Sequence, residues 1–150
     1  MEHGVLRANK GHPASGEPEF AASDPRNSVS LSVVDPRIHF ALNCGARSCP
    51  PIRVYTEERI EAQLDLAATS FLSQEVTVEK KDTGSFEVNV SKLFLWYGSD
   101  FGDSPSDLLT WIIRRRETNQ LELEEIVKSG FEIIYRDYDW TSNLLGEHSP

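Results

Sequence analysis

Cys44 and Cys49 are the two cysteines of this 150-residue chain, and they share the run Arg37-Ile38-His39-Phe40-Ala41-Leu42-Asn43-Cys44-Gly45-Ala46-Arg47-Ser48-Cys49-Pro50-Pro51 with one of its four histidines. Cysteine-dependent acyl transfer needs a thiolate, a histidine within hydrogen-bond reach and a third polar group that orients the imidazole. Cys44, His39 and Asp139 supply those types as candidate catalytic residues. His39 and Cys44 are five residues apart, so their contact requires the chain to fold back at Asn43-Cys44-Gly45. Nucleophilic cysteines gain acidity at the amino end of a helix, whereas Cys44 is followed by a Pro-interrupted loop.

Two other chemistries use the same residues. Cys44 and Cys49 have a spacing found at zinc sites, with His39 nearby and a fourth ligand missing. A disulfide or redox pair requires a turn at Gly45-Ala46 that brings the two α-carbons to about 4.4–6.8 Å, with Arg47 placed to favour a thiolate. The non-chemical expectation is that both thiols are reduced and buried. On that view His39 bonds a carbonyl or a carboxylate such as Asp139, and Asp139 and Asn143 tie their own turn.

The elements that must position these groups read as follows. The apolar stretch Ile38 to Leu42 predicts a buried strand that carries His39 and ends at the cysteine loop. Residues 8–36 are rich in Gly, Pro, Ser, Asn and Asp and predict a long loop, tacked down by Phe20 and the patch Val29-Leu31-Val33-Val34. Thr56 with Glu57 and Glu58 predicts a helix start, and Ile60, Leu64, Ala67, Ala68, Phe71 and Leu72 fall on one face. Two alternating runs between residues 75 and 90 flank Lys81-Asp82-Thr83-Gly84 and predict a β-hairpin.

Further on, Ser91 caps a short aromatic helix that ends at Gly98, and Ser106 caps a helix from Asp107 to about Glu117. Leu121 to Lys128 predicts another helix, stopped by Gly130. Phe131 to Tyr135 predicts a strand, Asp137 to Leu145 a packed turn, and 146–150 a disordered tail. The fold class expected is α+β: a small, mostly antiparallel sheet made of the His39 strand, the hairpin and the 131–135 strand, packed against several helices in a single domain, 1–150.

Fifteen basic against twenty-four acidic residues give a formal charge of −9, which argues against a nucleic-acid partner or an anionic lipid surface. Arg114-Arg115-Arg116 follows a helical stretch and suits a helix carboxyl end. No stretch reaches the roughly 18 consecutive apolar residues of a membrane helix, and the first thirty residues lack a signal-peptide core. A cytoplasmic compartment, no cofactor and an unidentified protein partner are the corresponding expectations. Met1-Glu2-His3-Gly4-Val5-Leu6-Arg7 reads as the interior of a folded element, so a preceding amino-terminal part is expected.

Taken together, these motifs resemble the family known as domain of unknown function 547. The resemblance rests on Glu2-His3-Gly4-Val5-Leu6-Arg7 before a Pro/Gly-rich loop, on Asp35-Pro36-Arg37-Ile38-His39-Phe40-Ala41-Leu42-Asn43-Cys44-Gly45 with Ser48-Cys49-Pro50, on Ser91 to Tyr97 with Asp100-Phe101, and on Tyr138 to Asn143. It implies a further helical region with a Phe-Trp and Asn-rich motif ahead of this chain, hence an amino-terminally truncated domain, and a fold similar to papain-like and transglutaminase-like proteins. It also joins His3 to the central motif, which makes His3 the fourth residue of the zinc alternative Cys44, Cys49, His39 and His3. The family's activity is not established. The leading expectation is a cysteine-hydrolase-like or degenerate thiol site. The competing one is a non-catalytic interaction domain that presents the 8–36 loop and the aromatic segments to another protein, with a zinc-stabilised or redox-sensitive Cys44/Cys49 loop as a further alternative.

Overall fold

The computed structural model describes residues 1–116 and 120–143. The predicted helix end at Glu117, Leu144-Leu145 of the predicted terminal turn, and the predicted tail 146–150 lie outside them. The architecture is α+β. Strands β1 (Thr77–Lys80) and β2 (Phe86–Ser91) form the predicted antiparallel hairpin, and β3 (Phe131–Arg136) joins β2 on its other side. The order β1-β2-β3 leaves β2 central, with Phe86, Val88 and Val90 buried and alternating with half-buried Glu87 and Asn89.

The expectation of a mostly antiparallel sheet is corrected here. β3 runs parallel to β2, with Val88 opposite Ile133 and Val90 opposite Tyr135, so the sheet is mixed. The cause is the connection: α2 (Leu93–Trp96), α3 (Gly98–Phe101), α4 (Pro105–Arg115) and α5 (Gln120–Ser129) carry the chain back to the end at which β2 began. A helical crossover of this kind delivers a parallel strand.

The predicted His39 strand is also corrected. Pro36–Phe40 is a tight helical turn, started by Asp35, whose side chain accepts from the Arg37 amide at 3.0 Å, with Pro36 in the first position. Asp-Pro supplies an N-cap and a fixed φ, which favour a helical turn over an extended start. The turn buries Ile38, His39 and Phe40. Phe40 packs its ring at 4.9 Å from Phe71 of α1 (Ile60–Glu75) and at 5.8 Å from Phe94 of α2. Full burial of such a ring is worth about 1.5–3 kcal/mol, enough to anchor the turn beside His39.

The stripe predicted on α1 is the buried one, with Leu64, Ala67, Ala68, Phe71 and Leu72 inward. Ser91, predicted to cap the aromatic helix, is instead the last residue of β2; the cap position of α2 is Lys92, and Ser91 Oγ accepts from the Leu93 amide at 3.3 Å across that junction. The aromatic helix ends at Trp96 with Tyr97 as its carboxyl cap, just ahead of the predicted stop at Gly98, and Gly98 then opens α3, which delivers Asp100 and Phe101 to the interior. Ser104, rather than Ser106, caps α4, because Pro105 occupies its first position and Ser104 Oγ accepts from Asp107 N. In the predicted 8–36 loop a turn forms at Pro25–Val29. Phe20 is buried against Gly4 and Val34 is half-buried, whereas Val29, Leu31 and Val33 are exposed, so the expected patch tacks the loop only in part.

Candidate functional site

Asn43 folds the cysteine loop. Its Oδ1 accepts from the Gly45 amide at 2.7 Å and its Nδ2 donates to the Pro50 carbonyl at 2.5 Å, which closes a ring around residues 43–50. Gly45 takes φ +84°, a left-handed conformation that glycine adopts without strain. The Cys49 amide donates to Ala46 O at 3.0 Å. The outer side of the loop is clamped by the segment after β3: Arg47 N donates to Thr141 O, Asn143 N to Gly45 O, and Asp139 N to Ser48 Oγ at 2.9 Å.

This folding brings Cys44 Sγ to 2.9 Å from Cys49 Sγ, both as free thiols. The Cys44 amide donates to Cys49 Sγ at 3.2 Å, and the clamping segment places the Tyr138 hydroxyl 3.2 Å from the same sulfur. Cys44 is exposed and Cys49 half-buried, so the expectation of two buried core thiols is overturned. Burial alone would push the Cys49 thiol up. Hydrogen bonds from the Cys44 thiol, the Tyr138 hydroxyl and the Cys44 and Ala46 backbone outweigh it and hold Cys49 below its ordinary value. Burial, reinforced by Cys49, pushes the Tyr138 phenol far up, so it stays a donor.

The two sulfurs open onto a cavity of about 750 Å³, within the range typical of small-molecule sites. One wall is a cluster of Trp96, Tyr138 and Trp140, with ring centroids 4.6–5.5 Å apart. His39, Tyr97 and Glu2 contribute to the rest of the lining. A second, smaller hollow of about 260 Å³ is also lined by Cys49, together with Arg47 and Ser48.

His39 is held from behind. Its Nε2 lies 2.9 Å from Asp100 Oδ2, and its ring stacks on Tyr97 at 4.0 Å between centroids. The same carboxylate accepts from Arg7 Nε at 2.6 Å, Arg7 Nη2 at 3.1 Å and Lys10 Nζ at 3.1 Å. Burial would raise the Asp100 carboxyl. The bonds from His39, Arg7 and Lys10 outweigh it and hold the group well below the usual carboxylate range. Asp100 therefore fixes the imidazole as a carboxylate, the orienting role that the sequence leads one to expect of Asp139.

The predicted site residues thus separate. Cys44 and His39 line one cavity, but the hydrogen-bond partners of Cys44 are Cys49 and Tyr138, and that of His39 is Asp100. Asp139 is exposed and accepts from Thr141 N at 2.9 Å and Thr141 Oγ1 at 2.6 Å, so it ties its own turn. The zinc alternative is not assembled: His3 Nδ1 lies against Arg7 Nη1 at 3.2 Å, His39 is paired with Asp100, and among the described residues no group of three or more His, Cys, Asp or Glu is arranged to hold a metal ion.

Arg7, Asp100 and Tyr138 were not singled out as site residues from sequence. Asp100 carried a readable signal, an acid set between Tyr97 and Phe101 in an aromatic segment, where a charge needs a partner. No helix among the described residues is long and apolar enough to cross a membrane.

Residues 1–72 match the family model described as Protein of unknown function, DUF547. That span carries His39, Cys44 and Cys49, while Asp100 and Tyr138 come from beyond it. No curated protein and no solved structure matches the chain.

Proposed function

We propose that this chain, whose residues 1–72 are consistent with a DUF547 family member, is a thiol-active binding domain in which Cys49 is the nucleophile. The observation that carries this reading is the convergence of the Cys44 thiol, the Cys44 amide and the Tyr138 hydroxyl on Cys49 Sγ at 2.9, 3.2 and 3.2 Å. Three donors on one sulfur favour its thiolate over its thiol. The aromatic wall of Trp96, Tyr138 and Trp140 holds the apolar part of the ligand beside it. The charge of −9 turns the domain away from nucleic acid and anionic lipid. Two unbridged cysteines suit the reducing cytoplasm.

A cysteine-hydrolase-like reading, with the papain- or transglutaminase-like fold it implies, is favoured by one observation. His39 lines the same cavity as both sulfurs and is oriented by Asp100. In this reading His39 takes the proton and Asp100 replaces Asp139 as the orienting acid. Alkylation by iodoacetamide, followed residue by residue against pH, tests both. Activation by the three donors gives Cys49 a labelling midpoint below that of an ordinary thiol, about 8.5, moved upward by Tyr138→Phe and unmoved by His39→Ala. A His39→Ala variant that labels much more slowly supports the hydrolase-like pairing instead. A Cys49 that labels as slowly as an unperturbed thiol in every form ends both readings.

A further inference from the structure

We infer that Cys44 and Cys49 form a thiol–disulfide exchange site that accepts small cationic or neutral organic disulfides. The inference rests on the thiol-active reading of Cys49 and names what that sulfur reacts with. Its foundation is geometric. The two free sulfurs are already 2.9 Å apart, in a loop that Asn43 and the Tyr138–Asn143 segment hold in shape, so closing a bond between them needs a shift of less than an ångström toward the usual length of about 2.05 Å. Cys44 is exposed, and half-buried Cys49 lines two hollows.

The steps balance with the substrate disulfide as oxidant. Cys49, having given its proton to solvent, attacks one sulfur of R–S–S–R; the Cys49–S–S–R bond forms and R–S⁻ leaves. Cys44 Sγ then attacks Cys49 Sγ, the Cys44–Cys49 bond forms, and the second R–S⁻ departs. The two leaving groups take up the two protons lost by the cysteines. One substrate disulfide and two protein thiols become one protein disulfide and two small thiols. The order of attack follows from the donors: the Tyr138 hydroxyl and Cys44 amide point at Cys49, and its neighbour Cys44 is placed to resolve the mixed disulfide.

The substrate class follows from the walls. Trp96, Tyr138 and Trp140 offer ring faces that attract cations, Glu2 adds an acid to the lining, and the chain as a whole carries −9. An anionic disulfide meets repulsion on approach; a cationic one does not.

The test treats the reduced full chain with cystamine or with oxidised glutathione and follows intact mass, then maps the modified cysteine. The wild type should lose two hydrogens and retain no adduct, and Cys44→Ser should accumulate a stable mixed disulfide at Cys49. Cys49→Ser should react at Cys44 on the order of tenfold more slowly, and cystamine should outpace oxidised glutathione at low salt. A wild type that stops at the mixed disulfide, a Cys49→Ser variant that reacts as fast as Cys44→Ser, or glutathione as the faster oxidant overturns the inference. If Cys49 still alkylates at depressed pH in that case, the exchange chemistry fails while the thiol-active reading survives. If Cys49 alkylates as an ordinary thiol, both fall together.

Discussion

Asp100 shows how much one buried side chain can organise. Its side chain has no solvent exposure, and it accepts from Arg7, Lys10 and His39, so removing it strands a guanidinium and an imidazole that are themselves almost wholly buried. Breaking a buried pair from one side costs about 3–5 kcal/mol, and Asp100→Ala should lower unfolding stability by that amount in urea titrations at neutral pH. A loss below about 1 kcal/mol, the level of an exposed pair, would refute the account. The pH dependence has a defined sign. The folded carboxyl titrates below its ordinary value, so its contribution is fully present above the ordinary carboxylate range and declines as pH falls below about 4. Asp100→Asn should flatten the acid limb of the stability profile. At this scale His39 and the two cysteines were legible, because residue type and local spacing announce them. The partners were not: Asp100 is 61 positions from His39 and 93 from Arg7, and no local pattern encodes a contact over such a distance.

The cysteine loop works as an element only with its clamp. Asn43 sets the internal turn, and Ser48 ties it to the segment after β3 by accepting from the Asp139 amide. Asn43→Ala removes two bonds at once, an expected loss of about 1–3 kcal/mol. It should also move the Cys49 labelling midpoint up toward that of an ordinary thiol, since the sulfurs and Tyr138 lose their common frame. An unchanged midpoint would show that the loop holds its shape without Asn43. The helices and the hairpin were readable because their periods, 3.6 and 2, are written in consecutive residues. The Ile38–Leu42 segment was misread because a five-residue apolar run fits a strand or a buried turn equally well, and Asp35-Pro36 ahead of it decided the matter. The direction of β3 was hidden for another reason: a strand's sequence specifies its faces, while its direction depends on where the preceding crossover ends.

Across the whole molecule, residues 1–31 fold partly against themselves and are fastened to the rest by charge. Within the segment, Phe20 fills the space over Gly4, Asn9 bonds both backbone groups of Phe20, and Leu31 N donates to Val5 O at 3.0 Å. Its ties to the body run through Arg7 and Lys10, which converge on Asp100, with Lys10 also reaching Ser99 O at 3.0 Å and Arg7 lying over the Tyr97 ring. Because the Arg7–Asp100 pair is buried, salt should screen it little, so the segment should stay docked at high ionic strength. Arg7→Met keeps an apolar stem of similar length and removes the charge. Limited trypsin digestion of this variant should cut first at Lys10 and Arg26, while the helices and sheet resist, and near-ultraviolet dichroism from Tyr97 should change. The cavity borrows Glu2 and His12 from the same segment, so the preference of cystamine over oxidised glutathione should narrow by the share that Glu2 contributes when the segment lifts away, while the aromatic wall and the net charge keep the rest. If the variant digests like the wild type, the segment is held by its apolar contacts, and Arg7 serves His39 alone.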